Sequence, residues 1–146
     1  MSVLFGVWSV AHSVSELLDR ALAGSGLNAD EFGFYSALFD GQPITPNQIS
    51  EQLGMPPTTV SSFLGRLSAR GHISRSKNPA DGRSALIELT SEGQQILHEA
   101  WMRFVPAQVA VEEALALPVE QVIDTLRQLT KAVQAAAARD TPEPIR

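Results

Sequence analysis

Residues 58–93 read TTVSSFLGRLSARGHISRSKNPADGRSALIELTSEG, and the spacing of their apolar positions changes once within that stretch. Val60, Phe63, Leu64 and Leu67 recur at helical spacing up to Arg70. Gly71 supplies the stop, since glycine adopts a left-handed cap at little cost. Beyond it, residues 73–77 and 84–89 read as strands, with Ala85, Ile87 and Leu89 alternating against Ser84, Leu86 and Glu88. Asn78-Pro79-Ala80-Asp81-Gly82-Arg83 joins the two. Six residues exceed the needs of a tight hairpin, so this loop is expected to project. Thr90 or Ser91 then caps a further helix.

Working outward, Pro57 suits the first position of the helix that ends at Arg70, and Leu53-Gly54-Met55 turns the chain ahead of it. Thr45-Pro46 opens a short helix carrying Ile49 and Leu53. Asn28 caps another, with Phe32, Tyr35, Leu38 and Phe39 in step, and Asp40-Gly41-Gln42-Pro43 terminates it. A first helix over about 4–23 places Leu4, Trp8, Ala11, Val14 and Leu18 on one stripe. On the other side, Ile96, Leu97, Ala100, Trp101, Phe104 and Val105 mark a long helix, which Pro106 should kink. Leu117-Pro118 opens a last one with Val122, Ile123, Leu126, Leu129 and Val133. The expected fold is mainly α with a small β-wing: a winged helix-turn-helix at 29–91, with a recognition helix at about 57–70 and a wing at 73–89. Dimerisation helices at 1–28 and 92–138 flank it, and a mobile tail follows at 139–146.

Composition removes several functional classes. The 146 residues include no cysteine, which excludes disulfides, cysteine-based zinc sites and thiol chemistry. No GxSxG, HExxH, GxxxxGK[ST] or GxGxxG occurs, so no enzyme and no cofactor is expected. His12 and Glu16 stand four apart, but His72 and His98 are isolated, so no metal site is expected. The apolar run at 2–14 is too short to span a bilayer and lacks a basic leader, which points to a cytoplasmic protein. The net charge of −5 argues against a simple basic nucleic-acid binder. Its distribution says otherwise. Residues 54–90 hold five basic residues (Arg66, Arg70, Arg75, Lys77, Arg83) against two acids, a balance of +3. The remaining six basic and fourteen acidic residues leave −8. A basic island on an acidic body presents one face to a polyanion while the rest repels it.

The helix at 57–70 leaves a free face of Thr58, Ser61, Ser62, Gly65 and Ala69, flanked by Arg66. Short side chains permit close approach to a major groove, hydroxyls meet bases or phosphates, and an arginine reads guanine or phosphate. An ordinary amphipathic helix with a solvated Ser/Thr face has the same pattern. Arg75 and Lys77 share one strand parity. Either can meet phosphate, or Arg75 can pair with an acid to brace the wing. Arg70 fits the helix dipole as well as it fits DNA.

From Ile44 to Gly93 the chain resembles, without gaps, the core of the MarR (multiple antibiotic resistance regulator) family. The resemblance rests on Leu53-Gly54, Thr59-Val60, Arg66-Leu67, Gly71, Ile73, Arg75, Asp81-x-Arg83, Leu89-Thr90 and Gly93, and the flanking helices agree in order and length. It implies a transcription regulator in which Arg83 enters the minor groove and Asp81 holds the arginine side chain in place. A narrow minor groove concentrates negative potential, which suits a guanidinium. Plain turn chemistry is the other account of Asp81-Gly82. The DNA-binding set is then Thr58, Thr59, Ser61, Ser62, Arg66, Arg75, Lys77, Asp81 and Arg83. Two departures stand out. Pro56-Pro57 replaces a polar lead into the recognition helix, and Gly65 inside it costs about 1 kcal/mol of helix stability.

The apolar stripes of the terminal helices are expected to bury against a second copy of the chain. The resemblance implies the same, a homodimer on a pseudo-palindromic operator, most often a repressor released by a small aromatic or phenolic effector. In that family the effector cleft would draw on Trp8, His12, Phe32, Tyr35, Trp101, Arg103 and Phe104, the aromatics stacking and His12 or Arg103 pairing a carboxylate or phenolate. Core packing is the alternative for each aromatic. Two other functions compete: a constitutive DNA-binding regulator without effector, and a degenerate winged-helix dimer that binds protein.

Overall fold

Capping boxes set the entry angles of two of the helices that carry the centre of the fold. A computed structural model describes residues 2–139. Its elements are α1 (Val3–Ala21), α2 (Ala29–Gly41), α3 (Pro46–Leu53), α4 (Pro57–Ala69), β1 (Ile73–Lys77), β2 (Ala85–Leu89), α5 (Ser91–Ala114) and α6 (Val119–Arg139). The order is the winged helix-turn-helix order expected. At α2, the Asn28 side chain accepts from the Glu31 backbone N–H (2.9 Å), and the Glu31 carboxylate accepts from that of Asn28 (3.3 Å). Thr45 and Gln48 make the same reciprocal pair at α3 (3.3 and 2.9 Å), with Pro46 in the first turn. α4 also has a proline in its first turn, but no side chain caps it. It ends at Arg70, and Gly71 follows with φ +73°.

β1 and β2 pair antiparallel with Ile73 opposite Leu89, Arg75 opposite Ile87 and Lys77 opposite Ala85. Ile44 joins the ribbon from the other side, exchanging backbone hydrogen bonds with Ile87 (3.1 and 2.8 Å). β2 therefore lies in the middle, and β1 keeps an open edge. The Gln42 side chain accepts from the Leu89 N–H (2.8 Å), tying the end of α2 to the wing.

The core gathers around α2. Phe34, Tyr35 and Leu38 are fully buried, as are Ile49 of α3, Val60 and Leu67 of α4, and Ile87 of β2. Here the expected stripe is corrected. Phe34 lies inside, whereas Phe39 is 49% exposed. α2 touches α1, α3 and β2, so it is covered on several sides and no single stripe describes it. At the base of the wing, the Thr90 hydroxyl donates to the Gly71 carbonyl (2.8 Å), and its N–H donates to that of His72 (3.0 Å). The turn of α5 that begins there runs so close to His72 that a Cβ on Gly93 would collide with the His72 carbonyl.

Two compact units divide the chain, one through Ala107 and one from Gln108 on. Pro106 lies inside α5 without ending it. In the second unit, Gln108 donates to Glu112 (2.8 Å) and Arg127 to Asp124 (3.2 Å). Ile123, Leu126 and Val133 of α6 are exposed. Arg139 ends α6, and the rest of the expected tail at 139–146 lies outside the described residues. Among the described residues, no helix is long and apolar enough to cross a membrane.

Candidate nucleic-acid interface

α4 divides cleanly. Val60, Phe63, Leu64 and Leu67 are buried, while Thr58, Ser61, Ser62, Gly65, Arg66 and Ala69 are exposed, with Thr59 half-buried between them. Nothing lies within 4 Å of a Cβ built on Gly65, so its contribution is a smooth surface rather than relief of an internal clash. Arg66 does not wander freely. Its guanidinium carbon lies 4.4 Å from the centroid of the Phe63 ring, and Phe63 stacks on Phe34 at 4.6 Å. The cation on the free face is thus seated on an aromatic pair rooted in the core.

The far end of α4 is held by an arrangement that sequence reasoning missed. Arg70 donates to the Glu31 carboxylate at 2.9 Å, and Glu31 is 7% exposed. Beside it, the Tyr35 hydroxyl meets Nδ1 of His72 at 2.7 Å. Burial pushes the Tyr35 phenol above its ordinary 10.0, with the nearby Arg70 guanidinium acting in the opposite direction. The hydrogen bond to Glu31, and then Tyr35, push Arg70 upward in turn. Four side chains from α2, the end of α4 and the residue before β1 therefore form one polar joint at the root of the wing. The partners stand 37 and 39 residues apart, and no local pattern links them.

The wing loop is organised by its own short side chains. The Asp81 carboxylate accepts from the backbone N–H of Arg83 (3.0 Å), and Asn78 accepts from that of Ala80 (3.0 Å) and donates to the Ser84 hydroxyl (2.9 Å). Asp81 thus shapes the backbone that presents Arg83; among the described residues it makes no ion pair with the guanidinium. Arg66, Arg75, Lys77 and Arg83 likewise make no ion pair there, and all four are exposed. Arg75 and Lys77 share the parity of buried Ile73 but lie beyond the core's reach. Among the described residues, Arg75 pairs with no acid. Among the described residues, α4 and the wing therefore carry four exposed cations without an ion pair, and α4 adds the exposed hydroxyls of Thr58, Ser61 and Ser62 near Arg66.

Of the residues expected at an effector cleft, three pack together and the others have separate partners. Phe32, Trp101 and Phe104 form an aromatic cluster, with centroids 5.0–6.0 Å apart. Trp8 stacks on His12 along α1 at 5.9 Å, and His12 meets Glu16 at 3.6 Å. Tyr35 is spoken for by His72, and Arg103 donates to the Ala23 carbonyl at 2.8 Å. A groove of about 670 Å³ does open in the first unit, between Ser36, Phe39 and Asp40 of α2 and Ser91, Gln94, Gln95, Leu97, His98 and Trp101 of α5. Trp101 alone of the expected residues lines it. Among the described residues, no group of three or more His, Asp or Glu could hold a metal.

A sequence model of the MarR family matches residues 26–84. The transcriptional repressor YetL of Bacillus subtilis is 24% identical over 101 residues, 68% of this chain and 60% of its own length, so the match leaves part of that relative uncovered. The multiple antibiotic resistance protein MarR of Salmonella typhimurium is 26% identical over 127 residues, 87% of each chain. Among solved structures, the M. tuberculosis regulator MosR in complex with DNA has the same fold, with a TM-score of 0.80 at 23% identity over 93% of this chain and 98% of that one.

Proposed function

From the match of residues 26–84 to a sequence model of the MarR family, we propose that the chain is a transcription regulator of that family that binds a pseudo-palindromic operator in duplex DNA as a homodimer, acts as a repressor and is released by a small aromatic effector. The observation that carries the DNA-binding reading is the split of α4 into a buried apolar side and an exposed hydroxyl side bearing Arg66, together with an exposed Arg83 on the wing that makes no ion pair among the described residues. In this reading α4 enters the major groove. Thr58, Thr59, Ser61, Ser62 and Arg66 face base edges and phosphates, Arg75 and Lys77 meet backbone, and Arg83 follows the minor groove with its backbone set by Asp81.

One recognition helix with one wing reads only a few base pairs, so specificity calls for two copies. The supporting observation is exposed apolar surface. α1 has no buried residue, and Leu4, Phe5 and Trp8 on it are 67%, 55% and 63% exposed. Leu117, Ile123 and Leu126 of the second unit are exposed too. Exposed apolar side chains on each unit are the kind of surface that marks an interface. The effector part rests on the groove beside Trp101.

Selection of random duplex DNA at moderate salt, with sequencing of what the protein retains, tests the proposal. Enrichment of an inverted repeat is the expected result. Recovery of no motif, or of a single half-site by a species that sediments as a monomer, overturns it.

A further inference from the structure

We propose that the groove between α2 and α5 takes a planar aromatic cation, and not the aromatic acid that the resemblance leads one to expect; the proposal deepens the effector reading above and rests on it. Residues 21–65 contain no Lys or Arg, and neither do residues 84–102. Every residue lining the groove comes from these two segments. Nothing in its wall can therefore pair a carboxylate through a permanent positive charge. The nearest cation along α5, Arg103, is occupied by the Ala23 carbonyl and lies against Gly24. The two elements do carry acids. Asp40 lines the groove and makes no hydrogen bond or ion pair among the described residues, while Asp30, Glu92 and Glu99 lie elsewhere on α2 and α5. Among the described residues, Glu31 is the one acid of α2 or α5 with an ion pair, to Arg70. His98 is the only basic group in the lining.

The apolar part of the wall suits a ring. Trp101 and Phe39 both line the groove and are 44% and 49% exposed, so each has surface free to cover a flat ligand. Trp101 already packs against Phe32 and Phe104, which fixes its ring in place. An indole face and an unpaired carboxylate are the two elements that recognise a delocalised cation. Ser36, Gln94 and Gln95 add only neutral polar groups, and a volume of about 670 Å³ holds two or three fused rings.

Three probes of one shape, N-methylquinolinium, neutral quinoline and quinoline carboxylate, test the assignment by calorimetry on the full chain at about pH 8, above the ordinary range of an imidazole. N-methylquinolinium is expected to bind about tenfold or more tightly than the carboxylate, with quinoline between them. Asp40→Asn should weaken the cation about three- to tenfold and leave quinoline unchanged. Asp40 is on the surface, so this variant keeps the fold. Trp101→Phe should weaken both cation and neutral ligand and so locates the site. Equal or tighter binding of the carboxylate, indifference of the cation to Asp40→Asn, or no binding of the cation overturns the proposal. Retention of selected duplex DNA by the same preparation shows whether the DNA-binding reading survives that failure.

Discussion

Replacing Glu31 by alanine removes a carboxylate that serves two partners. One oxygen completes the capping box of α2 at 3.3 Å, and the other receives Arg70 at 2.9 Å. Loss of the cap interaction costs about 0.5–1 kcal/mol. A charge-assisted hydrogen bond to a buried acceptor contributes about 1.5–3 kcal/mol, but the Arg70 side chain is 39% exposed, so solvent screening reduces that to about 1–2 kcal/mol. The expected destabilisation of Glu31→Ala is thus about 1.5–3 kcal/mol. Arg70→Ala leaves the cap in place but strands a carboxylate that is nearly buried, so its cost is similar. The double variant separates the shares. Urea unfolding of the four proteins at one fixed protomer concentration should return a coupling energy of about 1–2 kcal/mol. Because Arg70 terminates α4, both single variants should also weaken binding to the selected DNA, although Glu31 lies on α2. A coupling energy indistinguishable from zero would refute the view that this pair anchors the recognition helix.

Arg83→Ala is expected to weaken operator binding by about 1–3 kcal/mol, read by titration of labelled duplex, with the loss concentrated at the flank of each half-site. Tyr35 is the only tyrosine, so ultraviolet titration of the phenolate reports on it alone. Its midpoint in the folded protein should lie above 10.0 and return toward that value in denaturant. Since the raised group holds its proton longer when folded, its stabilising contribution is complete below pH 10.0 and is lost as pH rises through the folded value; Tyr35→Phe should abolish that dependence. Gly93→Ala forces a methyl into the His72 carbonyl and should cost about 2–3 kcal/mol, seen as a fall in thermal midpoint of roughly 4–12 °C.

Much of this was legible from local chemistry. Asn28 and Thr45 announce helix starts because a cap acts within three residues, and β2 announces itself by the period-two alternation after the loop. The buried face of α4 was readable for the same reason. What sequence did not disclose depends on contacts between distant segments. Glu31 looks like an ordinary first-turn acid until Arg70 is brought to it, and Ile44 pairs with Ile87 as a single residue, too short for any periodic signal. Phe39, Tyr35 and Arg103 share helices with groove or cluster residues, but the direction each side chain takes is decided by what packs around it.

The open edge of β1 has a consequence apart from DNA. An unpaired strand edge is a template onto which another chain can add, and Ile44 protects only the β2 side of this ribbon. β1 reads Ile-Ser-Arg-Ser-Lys, with four of its five residues exposed. Two like charges spaced along that edge repel the matching edge of a second molecule, and the serines offer little apolar surface to offset the repulsion. Arg75 and Lys77 thus act as gatekeepers against sheet-to-sheet aggregation whenever the wing is empty. Replacing them with neutral residues would therefore lower the solubility of the free protein.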